Sequence, residues 1–300
     1  MERAEGAFWR RARAQASGRR YTLNVGGQAR TYVVHRPPQY DGTAETPLVL
    51  YLHGGGGNAR SAYLDRMDET ANRHGFLLAI PEGVGPRRGG QLRASWNGGA
   101  WATGRCCGDA DDVAFITAML GTLQRMFRID PRRIYAAGIS NGGLMTNRLG
   151  CELADTIAAI VTVAPAGIPE HCAPARPLPV MDIHGTADTC NPFEGGAPTN
   201  PLCRAVDYVR MPPRDVVRAW LSLNRCESDS ELVYERGGAR CLRYARCQAR
   251  AEVVFCAVDG MGHAWPSGFA SRVLGIYPVS RDISGDQLWD FFSRHALPAS

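Results

Sequence analysis

A chain of 300 residues, 45% hydrophobic and 21% charged, is long enough to bury a sizeable core and too apolar to be a disordered or fibrous chain. All 34 basic residues are arginine, which reads as a GC-rich coding bias, and a net charge of only +5 with the signs interspersed argues against a nucleic-acid partner. No apolar run approaches the ~20 residues of a membrane-spanning helix, so no membrane partner is expected.

Residues 1–20, with Arg10, Arg11, Arg13, Arg19 and Arg20, are poor in apolar side chains and read as a flexible leader. Alternating runs over 21–25 and 29–35 flank Gly26-Gly27 and predict a hairpin. The near-continuous apolar run from Pro47 to His53 has the character of a central strand buried on both faces, and it ends in Gly54-Gly55-Gly56-Gly57. A helix over 61–74 and a strand over 76–81 follow, then a long Gly/Arg-rich loop over 83–108. Asp111 or Asp112 can cap a helix over 113–127. Strands are predicted at 134–137, 157–163, 179–184 and 252–258. The remaining helices run from 141 to about 151, over 213–224 with proline at its entry, and over 284–295. Strands alternating with helices indicate one α/β domain over 21–300, a mostly parallel central sheet with helices on both faces.

The run from Ile134 into Gly138-Ile139-Ser140-Asn141-Gly142 places a serine on a sharp strand-to-helix turn, the geometry of an activated nucleophile. Gly138 and Gly142 lack Cβ atoms where strand and helix must approach, and the Asn141 N–H at the helix start faces the space beside Ser140, where an oxyanion would form. A second oxyanion donor is expected from Gly54 or Gly55; a phosphate loop is excluded, because no Gly-Lys-Ser/Thr follows and the chain has no lysine. The base must come after the acid in chain order, and His263, in a glycine-flanked loop past the last strand, suits that place better than His184 or His295. For the acid, Asp188 follows a strand across a Gly-Thr-Ala turn and is preferred to Asp182 and Asp207. Trp96 and Trp265 are candidate substrate contacts, with plain packing as the alternative. This chemistry requires no metal and no organic cofactor. The ten cysteines show no paired Cys-x-x-Cys framework for zinc and read as disulfides of an exported protein; no apolar signal segment is visible near Met1.

Seven segments occur together in order: His53-Gly54-Gly55-Gly56-Gly57-Asn58, Ser95-Trp96-Asn97, Cys106-Cys107-Gly108, Asp111-Asp112-Val113-Ala114-Phe115-Ile116, Gly138 to Gly143, His184-Gly185-Thr186-Ala187-Asp188 and Gly260 to Pro266. The set resembles the family of secreted esterases that includes the LpqC-type polyhydroxybutyrate depolymerases and the feruloyl esterases. The resemblance implies an α/β-hydrolase fold, a carboxylic ester hydrolase, and Ser140, Asp188 and His263 as nucleophile, acid and base. It also implies disulfides, with Cys241–Cys256, Cys226–Cys247 and Cys190–Cys203 as pairs and Cys151 meeting Cys106 or Cys107. A chain ending at Ser300 without a polymer-adsorption domain favours a feruloyl esterase acting on hydroxycinnamoyl or aryl esters of plant cell wall sugars. A polyester depolymerase is the alternative, with a serine peptidase or a non-catalytic binding protein on the same fold behind it.

Overall fold

The computed structural model describes residues 18–88, 91–99, 110–203, 209–268 and 278–299. Ten strands form one sheet: β1 (Arg19–Val25), β2 (Gln28–His35), β3 (Thr46–Leu52), β4 (Leu77–Pro81), β5 (Ile129–Ile139), β6 (Ala159–Val163), β7 (Val180–Gly185), β8 (Glu231–Arg236), β9 (Ala239–Tyr244) and β10 (Val253–Val258). Their spatial order is β1-β2-β4-β3-β5-β6-β7-β10-β9-β8. The six strands from β4 to β10 are parallel, and an antiparallel hairpin extends the sheet at each edge. A separate ribbon pairs 87–88 with 91–92.

The central strands are apolar throughout because both faces are covered. Along β3, Val49 and Tyr51 enter one core with Ala62, Met67 and Ala71 and with Leu288, Phe291 and Phe292 of the last helix. Leu48, Leu50 and Leu52 enter the other, with Phe115, Met119, Met145, Leu149 and Trp220. The α-helices among the described residues are α1 (Arg60–Leu64), α2 (Met67–His74), α3 (Asp112–Met126), α4 (Asn141–Glu152), α5 (Pro213–Leu223) and α6 (Gly285–Ser293). The single helix expected over 61–74 is two, broken at Arg66 in the left-handed conformation (φ 60°). The β8–β9 hairpin was not among the predicted strands. It turns at Gly237-Gly238, and its β9 lies against β10 with Cys241 directly opposite Cys256.

Four disulfides fasten the described chain: Cys151–Cys172, Cys190–Cys203, Cys226–Cys247 and Cys241–Cys256. The last three are the expected pairs. Cys151 bonds Cys172 rather than Cys106 or Cys107, because the segment after β6 returns past the end of α4 and brings Cys172 to a Cα separation of 4.9 Å. Cys106 and Cys107 lie outside the described residues.

At the entry to β10, Glu252 accepts hydrogen bonds from Arg294 (2.7 Å) and His295 (2.9 Å). Burial opposes its charge, but these donors prevail and bring its pKa down to about 2. A depressed carboxyl pKa stabilises the fold above the unfolded value of ~4.3, and that stability is lost as pH falls toward the folded value. Glu252→Gln is therefore expected to lower stability at pH 7 by about 2–3 kcal/mol. Urea titrations of both proteins from pH 7 to pH 2.5 should show the difference shrinking below pH ~4.3; a pH-independent difference would contradict this linkage.

Candidate active site

Strand β5 runs into α4 through Ser140, which adopts φ 59°, ψ −121°, a backbone conformation that L-residues rarely occupy. The turn is held from below, since the Ser140 N–H donates to Val163 O (2.9 Å) at the end of β6. Its tightness explains the glycines. A Cβ on Gly138 would lie 2.4 Å from Gly142 O, and one on Gly142 would lie 2.2 Å from Leu52 O.

Next to this turn stands the glycine loop after β3. A Cβ built on Gly54 would lie 3.5 Å from Ser140 Cβ, and one on Gly55 would lie 3.5 Å from Asn141 Cβ, so both backbones border the serine. His53 sets the orientation of that loop. The Gly83 N–H donates to His53 Nε2 (3.2 Å), leaving the proton on Nδ1, which donates to Gly54 O (2.8 Å). Gly57 N–H reaches the same carbonyl (3.0 Å). In a trans peptide the N–H opposes the C=O, so the Gly55 N–H is turned away from His53. Full burial brings the His53 pKa down to about 4 and keeps the ring neutral.

The sequence placed Asp188 and His263 on different loops, and the fold brings them together: His263 Nδ1 lies 2.8 Å from Asp188 Oδ2. Asp188 Oδ1 accepts from the Cys190 and Asn191 N–H groups (both 2.8 Å). Burial raises the Asp188 pKa, but the adjacent His263 charge and hydrogen bond, the nearby His184 and the Asn191 N–H outweigh it and hold the carboxyl below the ordinary range. His263 is positioned by its own loop. Ala187 N–H donates to Met261 O (3.0 Å), an approach that requires glycine at 185, where a Cβ would lie 2.0 Å from that oxygen. The His263 side chain keeps 11% exposure and the Asp188 side chain none, which leaves the imidazole as the reachable end of the pair.

The alternative acids are placed elsewhere. Asp182 is buried within β7, where it accepts from Thr162 Oγ1 (2.6 Å) and burial lifts its pKa to about 7. Asp207 lies outside the described residues. His295, the other downstream histidine, is bound to Glu252 at the far end of β10.

Of the two readings of Trp96 and Trp265, substrate contact or packing, their burial fits packing: they are 0% and 1% exposed. Trp265 packs edge-on against Tyr51 in the core. Trp96 lies against the His53 ring and donates its Nε1–H to His53 O (2.9 Å). Its backbone exchanges two hydrogen bonds with the Asn141 side chain (2.7 and 3.0 Å). Sequence reasoning missed that framework role because an aromatic residue in a glycine-rich loop carries no sign of which way its ring turns. Asp188, Cys190 and His263 also lie close enough together to suggest metal ligation, but the Cys190 sulfur is bonded to Cys203 and offers no thiolate. The serine turn, the imidazole–carboxylate pair and the adjoining glycine-loop and helix-start backbone suit acyl transfer.

No protein-family model matches the chain. It is 30% identical to Feruloyl esterase B of Piromyces equi over 278 residues, 90% of this chain, and it spans 46% of that relative's length. It is also 30% identical over 302 residues to NocK of Nocardia uniformis subsp. tsuyamanensis, an esterase by name, covering 94% of this chain and 84% of that one. Among solved structures, the acetyl xylan esterase from Aspergillus awamori superposes with a TM-score of 0.59 at 13% identity, over 92% of this chain and 99% of that one, which establishes the shared fold. The chain belongs to the esterase family with the α/β-hydrolase fold that counts feruloyl esterases among its members.

Proposed function

We propose that the protein is a serine carboxylic ester hydrolase of the feruloyl esterase type, acting on hydroxycinnamoyl esters of plant cell wall sugars. The observation that carries the reading is the His263–Asp188 hydrogen bond, made across two loops at the sheet edge that also carries the strained Ser140 turn. His263 takes the Ser140 proton as the hydroxyl attacks the ester carbonyl, and Asp188 fixes the imidazole tautomer and balances its positive charge. The Asn141 and Gly55 N–H groups receive the oxyanion of the tetrahedral intermediate. His263 then protonates the departing alcohol, and water repeats the attack on the acyl-enzyme. The carboxylate stays ionised throughout, in keeping with its depressed pKa. Feruloyl esterase B supports the aryl acyl group by analogy of sequence. Four disulfides support an exported protein working in an oxidising compartment.

The test is a comparison of initial rates on methyl ferulate, 4-nitrophenyl butyrate and a polyhydroxybutyrate suspension, with a Ser140→Ala protein as the blank. Methyl ferulate turnover at or above that of the butyrate ester, with the polymer unchanged, is expected. Clearing of the polymer with little ferulate turnover would replace this reading with a depolymerase.

A further inference from the structure

His184 is fully buried at the end of β7, yet one of its ring nitrogens has no partner. Nε2 lies 2.8 Å from the backbone oxygen of Asn191, which can only accept, so the ring proton sits on Nε2 and the bare lone pair is on Nδ1. A buried acceptor without a donor destabilises the fold relative to an apolar group of similar shape. Leucine would remove that bare acceptor, but it would also leave the buried Asn191 carbonyl without its donor. What the imidazole supplies is the Nε2–H, and that group faces the acid turn.

We infer that His184 is a positioning residue for Asp188, acting through Asn191. By accepting from His184, Asn191 fixes its own backbone N–H on Asp188 Oδ1 (2.8 Å). Its side chain donates to Ala164 O (2.7 Å), one residue past the Val163 carbonyl that holds the Ser140 N–H. One short chain of hydrogen bonds thus ties the acid turn to the end of β6, and through β6 to the nucleophile turn. Ala164 itself is held at φ 44°, as expected where a carbonyl is aimed at a fixed target. His184 Nε2 also lies 3.6 Å from Asp188 Oδ2, the oxygen that accepts from His263. The titratable groups facing His184 are Asp188 and His263; the remaining close ring is Phe193. Removing the His184 dipole would leave more of the Asp188 charge to His263, favour the imidazolium, and move the acid limb of the rate profile to higher pH.

The inference rests on the proposed triad, so Asp188→Asn is measured alongside. His184→Leu removes the donor and fills the space, whereas His184→Gln can restore an N–H near the Nε2 position. For the leucine protein, kcat should fall on the order of 10–100-fold, as for a catalytic group displaced by a fraction of an ångström. KM should stay within threefold, the melting temperature should change little because the orphan Nδ1 is removed while the Asn191 carbonyl loses its donor, and the acid limb of kcat should move upward in pH. Glutamine should recover most of the rate. The inference is overturned if leucine keeps kcat within twofold, if glutamine is as slow as leucine, or if the rate loss only follows a loss of folded protein. Should leucine not fold, the glutamine protein decides alone: near-native kcat with an unmoved acid limb supports the donor role, and a loss like that expected of leucine refutes it. An active Asp188→Asn protein would instead overturn the triad.

Discussion

Replacing Ser140 by alanine is expected to lower kcat on every ester by about 10⁶-fold while leaving the thermal midpoint unchanged. The hydroxyl is the only atom removed, and alanine inherits the same backbone conformation at φ 59°, ψ −121°. Glycine at the same position should be equally inactive but more stable. A residue with a Cβ in this region costs about 1–3 kcal/mol, and glycine sheds that cost while losing ~0.5–1 kcal/mol to its freer unfolded state. The expected gain is on the order of 1 kcal/mol, readable as a small upward shift of the urea midpoint with unchanged slope. The pair of variants separates two roles of one residue. If Ser140→Gly were less stable than Ser140→Ala, the turn would not be storing strain; if Ser140→Ala kept turnover within a hundredfold, another group would be the nucleophile.

What could be read from the chain and what could not divide along a physical line. The apolar run of β3 and its glycine exit were legible because burial on both faces leaves no polar position. The expected order of serine, acid and base follows because an α/β sheet exposes the ends of its strands at one edge, where the fold pairs His263 with Asp188. The break at Arg66 was not, since nothing in Asp65-Arg66-Met67 announces a left-handed residue. The β8–β9 hairpin carried the same Gly-Gly signal as residues 26–27, but exposed strands such as Glu231–Arg236 alternate too weakly to stand out. The pairing of Cys151 and the burial of Trp96 and Trp265 depend on the path of irregular segments, which propensity does not encode. The supports of the site were the least visible. His53, Asn191 and Ala164 act through backbone carbonyls, and a carbonyl is present at every position in the chain.

Asp188→Asn is expected to cost on the order of 10⁴ in kcat with little change in KM, and the loss follows from the donors around the carboxylate. Oδ1 already accepts from two backbone N–H groups, so an asparagine would keep its carbonyl oxygen there. Its NH₂ would then face His263 Nδ1, replacing an acceptor with a donor. The imidazole would have to accept at Nδ1 and carry its proton on Nε2, where no lone pair remains to take the Ser140 proton. The same NH₂ would meet the Nε2–H of His184, 3.6 Å from the present Oδ2, adding a second mismatch on the same side. In the native protein the His263 charge and hydrogen bond hold the Asp188 carboxyl below the ordinary carboxylate range. The acid limb of kcat/KM should therefore show one proton, a slope of about one, at every pH above the ordinary aspartate value of ~3.9. A slope of two in that range would mean that Asp188 titrates together with the base. An Asp188→Asn protein with native-like turnover at pH 7 would return the search for the acid to the residues around His263.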